Sequence, residues 1–289
     1  MTSRGMESRR RLHPRARVTR NPARPKTRKD IDLHDACGKG DMERVTRILY
    51  ESPVRINKKG RYRWIPVMWA AHQGQREVFD LLVSKGGDVS QVDDVGDNIL
   101  HVACYGGHVE MVEHLLSKDI VDVNTRGRYG WTPAMRAAFQ GHTEVFDLLV
   151  SKGGDISRVD DAGENILHVA SSGGHVEMVK HVLSKDAVDI NGRGRRGRTA
   201  VMMAGYMGHE KVFDLLVNKG ADLTLVGDNG DTILHWASVS GNMEIVKQVL
   251  SPDIIDINAR DKDGRTACMV AGDSSPMYSL LVSRGCHVK

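Results

Sequence analysis

A chain of 289 residues that is 40% hydrophobic but only 5% aromatic has enough apolar material for a substantial core, made without many large rings. That combination points to thin layers of Ala, Leu, Val and Met, as in stacked helical hairpins. Charge is split: residues 1–30 hold eleven lysines or arginines and two acids, a net +9 that leaves the rest at −5 within an overall +4, so a basic arm precedes a mildly acidic body. Cys37, Cys104, Cys268 and Cys286 are widely spaced without a C-x-x-C pair, and no N-x-S/T sequon, apolar leader or long apolar run occurs. These features argue against a secreted disulfide scaffold and a membrane span. The expected setting is a reducing intracellular compartment, the cytoplasm or the nucleus.

The arm, 1–30, contains Pro14, Pro22 and Pro25 and few apolar residues, so a disordered segment is expected. Arg9, Arg10 and Arg11, followed after a gap by the basic run 24–29, resemble a bipartite nuclear import signal; a solvated tail and a phosphate-contacting arm are the other readings. From residue 31 the chain becomes periodic. Gly74, Gly107, Gly141, Gly174, Gly208 and Gly241 are separated by 33, 34, 33, 34 and 33 residues, and four of them precede a histidine: His108, His142, His175 and His209. A strict period of this size means a solenoid of repeated units. Each unit reads as a short Ala-containing helix such as ILHVA, a glycine turn, an amphipathic helix such as HVEMVEHLLS, then an extended arm and a hairpin tip such as TRGRYGW. Gly86, Gly153 and Gly220 suit left-handed helix stops.

A longer period is superimposed. FDLLVSKGGD at 79–88 recurs at 146–155 and as FDLLVNKGAD at 213–222, each 67 residues on. Odd units place Met68, Met135, Met202 and Met269 where even units place His101, His168 and His235, which predicts two kinds of inter-repeat contact in alternation. A degenerate starter at 31–59, six full repeats over 60–260 and a shortened unit at 261–289 complete the array. Ser275 replaces the turn glycine in that last unit, and Pro276 opens a helix expected to be about two residues short.

The segments Thr132-Pro133-Ala134-Met135-Arg136-Ala137-Ala138 and Ile99-Leu100-His101-Val102-Ala103 carry the signature by which the chain resembles ankyrin repeats. The resemblance implies an all-α solenoid of helix-turn-helix units joined by β-hairpin loops. It also implies that His101, His168 and His235 bond between repeats, and that hairpin tips and inner helices form a binding face for a protein partner.

Other chemistries fit less well. Gly192-Arg193-Gly194-Arg195-Arg196-Gly197 spells G-x-G-x-x-G, but it occupies a tip position and lacks the strand a dinucleotide site requires. His101, Cys104 and His108 share one hairpin without metal-ligand spacing. With no nucleophile elbow or P-loop either, no enzyme activity, metal or cofactor is expected. Binding is the expected function, by a monomer, as an adaptor or scaffold. A nucleic-acid-associated role through the arm is the alternative.

The tips supply the candidates. Odd tips carry Arg61, Tyr62 and Trp64, then Arg128, Tyr129 and Trp131; inner helices add Tyr105, Phe139 and Tyr206. Trp, Tyr and Arg dominate interface energetics. Removing Trp64 and Trp131 together would on this reading abolish binding and cost little stability; packing of each ring on an adjoining helix is the competing explanation. Trp69 and Trp236, inside the first helix of their units, are expected in the core. Even tips are acidic, with Asp93, Asp94, Asp97, Asp160, Asp161, Glu164, Asp228 and Asp231. They serve either to exclude wrong partners or as a ladder of exposed ion pairs worth at most about 1 kcal/mol each.

Overall fold

The computed structural model describes residues 28–51, 55–127, 129–251, 255–273 and 275–288, with side chains from residue 33. The basic arm up to residue 27, and Arg128, lie outside the described residues. Among the described residues there are sixteen α-helices and no strand. They form eight hairpins: α1 (Arg28–Lys39) with α2 (Met42–Glu51), α3 (Pro66–His72) with α4 (Arg76–Ser84), α5 (Ile99–Gly106) with α6 (Val109–Ser117), and α7 (Pro133–Gln140) with α8 (Thr143–Ser151). Next come α9 (Ile166–Gly173) with α10 (Val176–Leu183), α11 (Ala200–Met207) with α12 (Glu210–Asn218), α13 (Ile233–Ser240) with α14 (Met243–Leu250), and α15 (Ala267–Ala271) with α16 (Pro276–Ser283). Odd-numbered helices form an inner layer, each packed on the next, and even-numbered helices an outer layer. Because each unit touches only its neighbours, the molecule is a one-dimensional stack.

The inner helices begin and end on local chemistry. Asn98 and Asn165 cap α5 and α9, each side-chain oxygen accepting two backbone N–H groups of the first turn. Gly107, Gly141, Gly174, Gly208 and Gly241 end inner helices with φ between 75° and 81°, a conformation glycine adopts without strain. A side chain at Gly74, Gly107, Gly141 or Gly174 would also run into the imidazole of His108, His142, His175 or His209 from the following unit. The Gly-His pair is therefore a packing contact between units. His142 and His209 add hydrogen bonds from Nε2 to the carbonyls of Tyr105 and Ser172.

The 67-residue period is carried by buried rings and by exposed loop bridges. Phe79, Phe146 and Phe213 lie in outer helices and are almost wholly buried. Asn57 and Asn124 bridge successive outer loops: each side chain donates to a glycine carbonyl (Gly86, Gly153) and accepts the N–H of an aspartate (Asp88, Asp155). Asn191 accepts from Asp222 in the same way, and Asn258 ties the last loop through His287 and Gly285.

The hairpin tips are tight turns without strands. Each closes on a backbone bond such as Gly60 N–H to the Trp64 carbonyl (2.7 Å) or Asp93 N–H to the Asp97 carbonyl (3.0 Å). In the last unit the shortening falls on the inner helix, not on the helix after Ser275. Gly272 stops α15 after five residues, whereas α16 runs for eight with Ser275 capping it and Pro276 at its first position. Composition gave no sign of cross-linking, but Cys268 and Cys286 are paired as a disulfide across this unit, with Cα atoms 6.2 Å apart. Cys37 and Cys104 are free and buried, and burial pushes the Cys37 thiol up to about 12.

Candidate functional site

The first odd tip is a 3-10 turn, Arg61–Arg63, in which Tyr62 and Arg63 both have φ of 58°. Positive φ is costly for residues with a Cβ, and Gly130 and Gly197 occupy the position of Arg63 in the next two odd tips. The turn lifts Tyr62 to 39% exposure, with the Arg61 guanidinium 4.7 Å from its ring centroid. Trp64, two residues later, points inward and is only 7% exposed. Its indole N–H donates to Asp93 Oδ2 at 3.2 Å. From there a run of rings crosses to the inner helices: Trp64 to Trp69 at 4.8 Å, Trp64 to His72 at 5.0 Å, and His72 to Tyr105 at 5.4 Å. Tyr105 ends the run 42% exposed. Burial, helped by His108 and His142, lowers His72 to about 4, so this ring is a neutral member of the stack at physiological pH.

The second odd tip repeats the plan. Tyr129 is 54% exposed, while the half-buried Trp131 donates its indole N–H to Asp160 Oδ2 at 3.0 Å. Trp131 packs on Phe139 (5.4 Å) and under the guanidinium of Arg136 (4.4 Å). At the third odd tip Arg198 takes the tryptophan's place and lies 5.0 Å from the ring of Trp236, which in turn meets the half-buried Tyr206 at 5.5 Å.

The inner acids of the first two even tips are not part of an exposed acidic ladder: Asp93, Asp97, Asp160 and Glu164 are all buried, whereas Asp94, Asp161 and Asp228 are exposed and Asp231 is half-buried. Asp93 and Asp160 use one oxygen to fold their own turn, accepting two backbone N–H groups each, and the other to accept a tryptophan indole. Asp97 forms a buried two-point ion pair with Arg136, at 2.7 and 3.1 Å. Glu164 meets Arg198 at 3.4 Å. Burial raises the carboxyls of Asp93, Asp97 and Glu164 above the usual range. Only the outer acids form surface pairs, Asp161 with Arg126 at 2.9 Å and Asp228 with Arg193 at 3.3 Å.

The signature histidines tie each even unit to the tip of the next odd one. Nε2 of His101, His168 and His235 lies 2.9 to 3.0 Å from the carbonyls of Trp131, Arg198 and Arg265. The methionines of the odd units offer no such bond, so the two junction types do alternate.

Of the sequence candidates, Tyr62, Tyr105 and Tyr129 present surface, whereas Trp64 is covered by the neighbouring even tip. Trp64 and Trp131 thus act first as joints between tips, and removing them would cost stability. Trp69 and Trp236 are half-buried on the side shared by tips and inner helices, not fully in the core, and the indole N–H of each is buried without an acceptor. They occupy the variable position of the signature, as Arg136 does; that position faces the tips, a signal available from the sequence. Gly194 to Gly197 is the third odd tip, with no strand before it. Among the described residues no group of three His, Cys, Asp or Glu residues has metal-binding geometry, and no helix is long and apolar enough to cross a membrane.

Comparison with known proteins agrees with this geometry. The sequence profile described as "Ankyrin repeats (3 copies)" matches residues 67–160, 135–227 and 220–289. Palmitoyltransferase AKR1 of Lachancea kluyveri is 31% identical over 186 residues, covering 63% of this chain and 25% of that protein. The "Probable 26S proteasome regulatory subunit p28" of Saccharomyces cerevisiae is 28% identical over 203 residues, 68% of this chain and 89% of its own length. Human transient receptor potential cation channel subfamily A member 1 is 30% identical over 215 residues, 72% of this chain and 19% of the channel. The chain thus spans about a quarter or less of the length of the transferase and the channel. With the profile running through more than half of its residues and the tips, capped inner helices and Gly-His turns repeating in register, this chain belongs to the ankyrin-repeat family.

Proposed function

We propose that the chain is a non-enzymatic protein-interaction module, an adaptor or scaffold that holds its partner along the concave side formed by tips and inner helices. The carrying observation is that three tyrosines at equivalent or adjoining places, Tyr62, Tyr105 and Tyr129, stand 39 to 54% exposed beside rings fixed by hydrogen bonds. A large amphipathic ring on an immobilised support loses little entropy on binding, which is the property of an interface anchor. Arg61, Phe139 and Tyr206 extend the same face, and Trp64 and Trp131 support it; Arg128, outside the described residues, is assigned to the interface from its place in the sequence. Alignment over 89% of a relative named as a regulatory subunit supports a binding role for the repeats by themselves. The alignment to one named as a palmitoyltransferase covers a quarter of that protein. A monomer working in the cytoplasm or nucleus fits this reading.

The test is affinity capture with the full chain and with a Tyr62→Ala, Tyr105→Ala, Tyr129→Ala variant. Loss of the captured partner at unchanged melting temperature is expected; a variant that captures as well as the parent overturns the assignment. The net +9 of residues 1–30 favours a second reading, phosphate contacts by a nucleic-acid-associated protein. It requires affinity for nucleic acid that falls steeply with salt and disappears on deleting the arm.

A further inference from the structure

The odd tips share one backbone path but not one chemistry. Arg196 takes up φ of 57°, as Tyr62 does at 58°. Its carbonyl accepts the Asp228 N–H at 2.7 Å, just as the Tyr62 and Tyr129 carbonyls accept those of Asp94 and Asp161. The third odd tip therefore lifts Arg196 into solvent where the first two lift a tyrosine. Arg195, in the place of Arg61 and Arg128, is exposed beside it. Arg198 stands where the other tips have tryptophan, and Gly227 of the following even tip stands where Asp93 and Asp160 accept the indoles. Relative to its two counterparts this one turn gains two arginines and loses a carboxylate, changes that all raise its positive charge.

The carboxylates that remain around the tip are engaged elsewhere. Glu164 pairs with Arg198, Asp228 pairs with Arg193, and Asp160 accepts from Trp131. Asp231, half-buried in the next tip, lies beyond ion-pair distance of both Arg195 and Arg196. Among the described residues these two guanidiniums have no acidic partner. Their backbone is nevertheless fixed, since the Arg195 carbonyl accepts the backbone N–H of Arg198 at 3.3 Å and its Nε at 3.1 Å. Two uncommitted guanidiniums thus stand side by side on an immobilised turn, in line with the exposed tyrosines.

We propose that the third odd tip receives two carboxylates of an extended segment of a protein partner, one on Arg195 and one on Arg196, while an apolar or aromatic side chain of the same segment rests on Tyr129. The inference rests on the interaction-module reading and names the partner's chemistry on that face. Charge complementarity selects an acid, and the planar fork of guanidinium matches a carboxylate. The repeat sets the spacing. Tyr129 and Arg196 hold the same place in tips two units apart, about 20 Å at the usual distance between packed helices. An extended chain crosses that distance in about six residues. A nucleic-acid strand laid along the tips would bring phosphates against Asp161 and Asp228, which are exposed on the even tips to either side. A single pair of carboxylates ends before reaching them.

The probe is a phage-displayed library of random twelve-residue peptides, selected on the full chain at physiological salt after depletion on a synthetic peptide of residues 1–30 to remove binders of the basic arm. Enriched peptides should carry paired acidic residues about six positions from a Leu, Phe, Tyr or Trp. A representative peptide, labelled with fluorescein and followed by anisotropy, should lose about 20-fold in affinity with Arg195→Glu, Arg196→Glu. It should lose about 10-fold with Tyr129→Ala. Lys211→Glu with Lys219→Glu makes the same change of charge at exposed positions on α12 and its C-cap, and should change affinity less than about twofold. If the glutamate pair alters the native circular dichroism, Arg195→Gln with Arg196→Gln takes its place, with a loss of about 5-fold expected.

A library that enriches nothing, enriched peptides without paired acids at that spacing, a loss under threefold for the arginine variant, or an equal loss for the lysine variant overturns the proposal. So does a single-stranded oligothymidine that binds more tightly than the peptide and is released by the same charge reversal, which would make the tip a phosphate site. Capture by the tyrosine-substituted chain separates the two levels. If that variant loses its partner while the peptide results fail, only the assignment of the third tip falls; if it retains its partner, the module reading falls as well.

Discussion

The junction from α5/α6 to α7/α8 and the junction from α7/α8 to α9/α10 join nearly identical units by different means. In the first, His101 bonds the Trp131 carbonyl and Arg136 reaches back to a buried Asp97. In the second no inner-helix histidine reaches a tip carbonyl, and the outer helices are joined by His181 to Asp147 at 2.7 Å. Trp131 donates forward to Asp160, and the Asp161 N–H bonds the Tyr129 carbonyl at 3.0 Å. Trp131 is therefore held from both sides, through its carbonyl by the preceding unit and through its indole by the following one. Being held from both sides immobilises the second odd tip, which carries the exposed Tyr129.

The sharpest way to break the comparison is at the first junction. Asp97→Ala leaves the Arg136 guanidinium buried without its partner and should cost about 3–5 kcal/mol in urea denaturation at pH 7. Asp97→Leu with Arg136→Met, which removes both charges, should stay within about 1 kcal/mol of the parent. Asp161→Ala, which cuts only the exposed pair with Arg126, should cost less than about 1 kcal/mol. Equal losses for Asp97→Ala and Asp161→Ala would show that the two junctions do not differ.

The histidine gives the next largest effect, and it depends on pH. Burial lowers His101 to about 4. As pH falls below about 6.5 the unfolded chain takes up this proton before the folded one, so the contribution of His101 is complete above that pH. It is lost as pH falls toward the folded value, by about 2 kcal/mol at pH 5. The raised carboxyls of Asp93 and Asp97 pull the other way over acid pH, since the folded chain protonates them first. Comparison with His101→Gln isolates the histidine: the cost of that substitution should be about 2 kcal/mol smaller at pH 5 than at pH 7. A pH-independent difference would mean that the imidazole titrates normally in the fold.

Smaller effects test the second junction and the tip. Trp131→Phe keeps the ring stack but leaves Asp160 one donor short, an expected loss of about 1–2 kcal/mol by thermal denaturation. Arg63→Gly should act in the opposite direction, raising stability by about 0.5–1 kcal/mol, since it removes a Cβ from a left-handed position that the next two odd tips fill with glycine. A destabilised variant would mean that Arg63 makes contacts worth more than its backbone strain.

The repeat period, the helical hairpins and the alternation of Met and His were legible because they depend on local rules: glycine at positive φ, an Asn or Thr cap, apolar spacing on a helix face. The roles of the tip side chains were not. Trp64 and Tyr62 are two residues apart in the same turn, and which one faces water is decided by the carboxylate of Asp93, contributed 29 residues later. The acidic tips read as solvated for the same reason, since Asp97 is buried only once Arg136 is placed beside it. The pairing of Cys268 with Cys286 joins the first turn of α15 to the residue two beyond Arg284, the C-cap of α16, a contact that spacing along the chain does not announce. Arg128 falls outside the described residues, and the fate of that candidate rests on the binding test.

The alternation of junctions also sets how such an array can change length. Removing one unit would bring two like units together, with a methionine where a tip carbonyl needs a histidine or an acidic tip where Arg136 needs a covered partner, and the one new junction would be mismatched. Removing two adjacent units brings matching surfaces together again. The array is therefore divisible only into pairs, and the 67-residue block is the smallest piece that can be deleted, duplicated or exchanged without opening a seam.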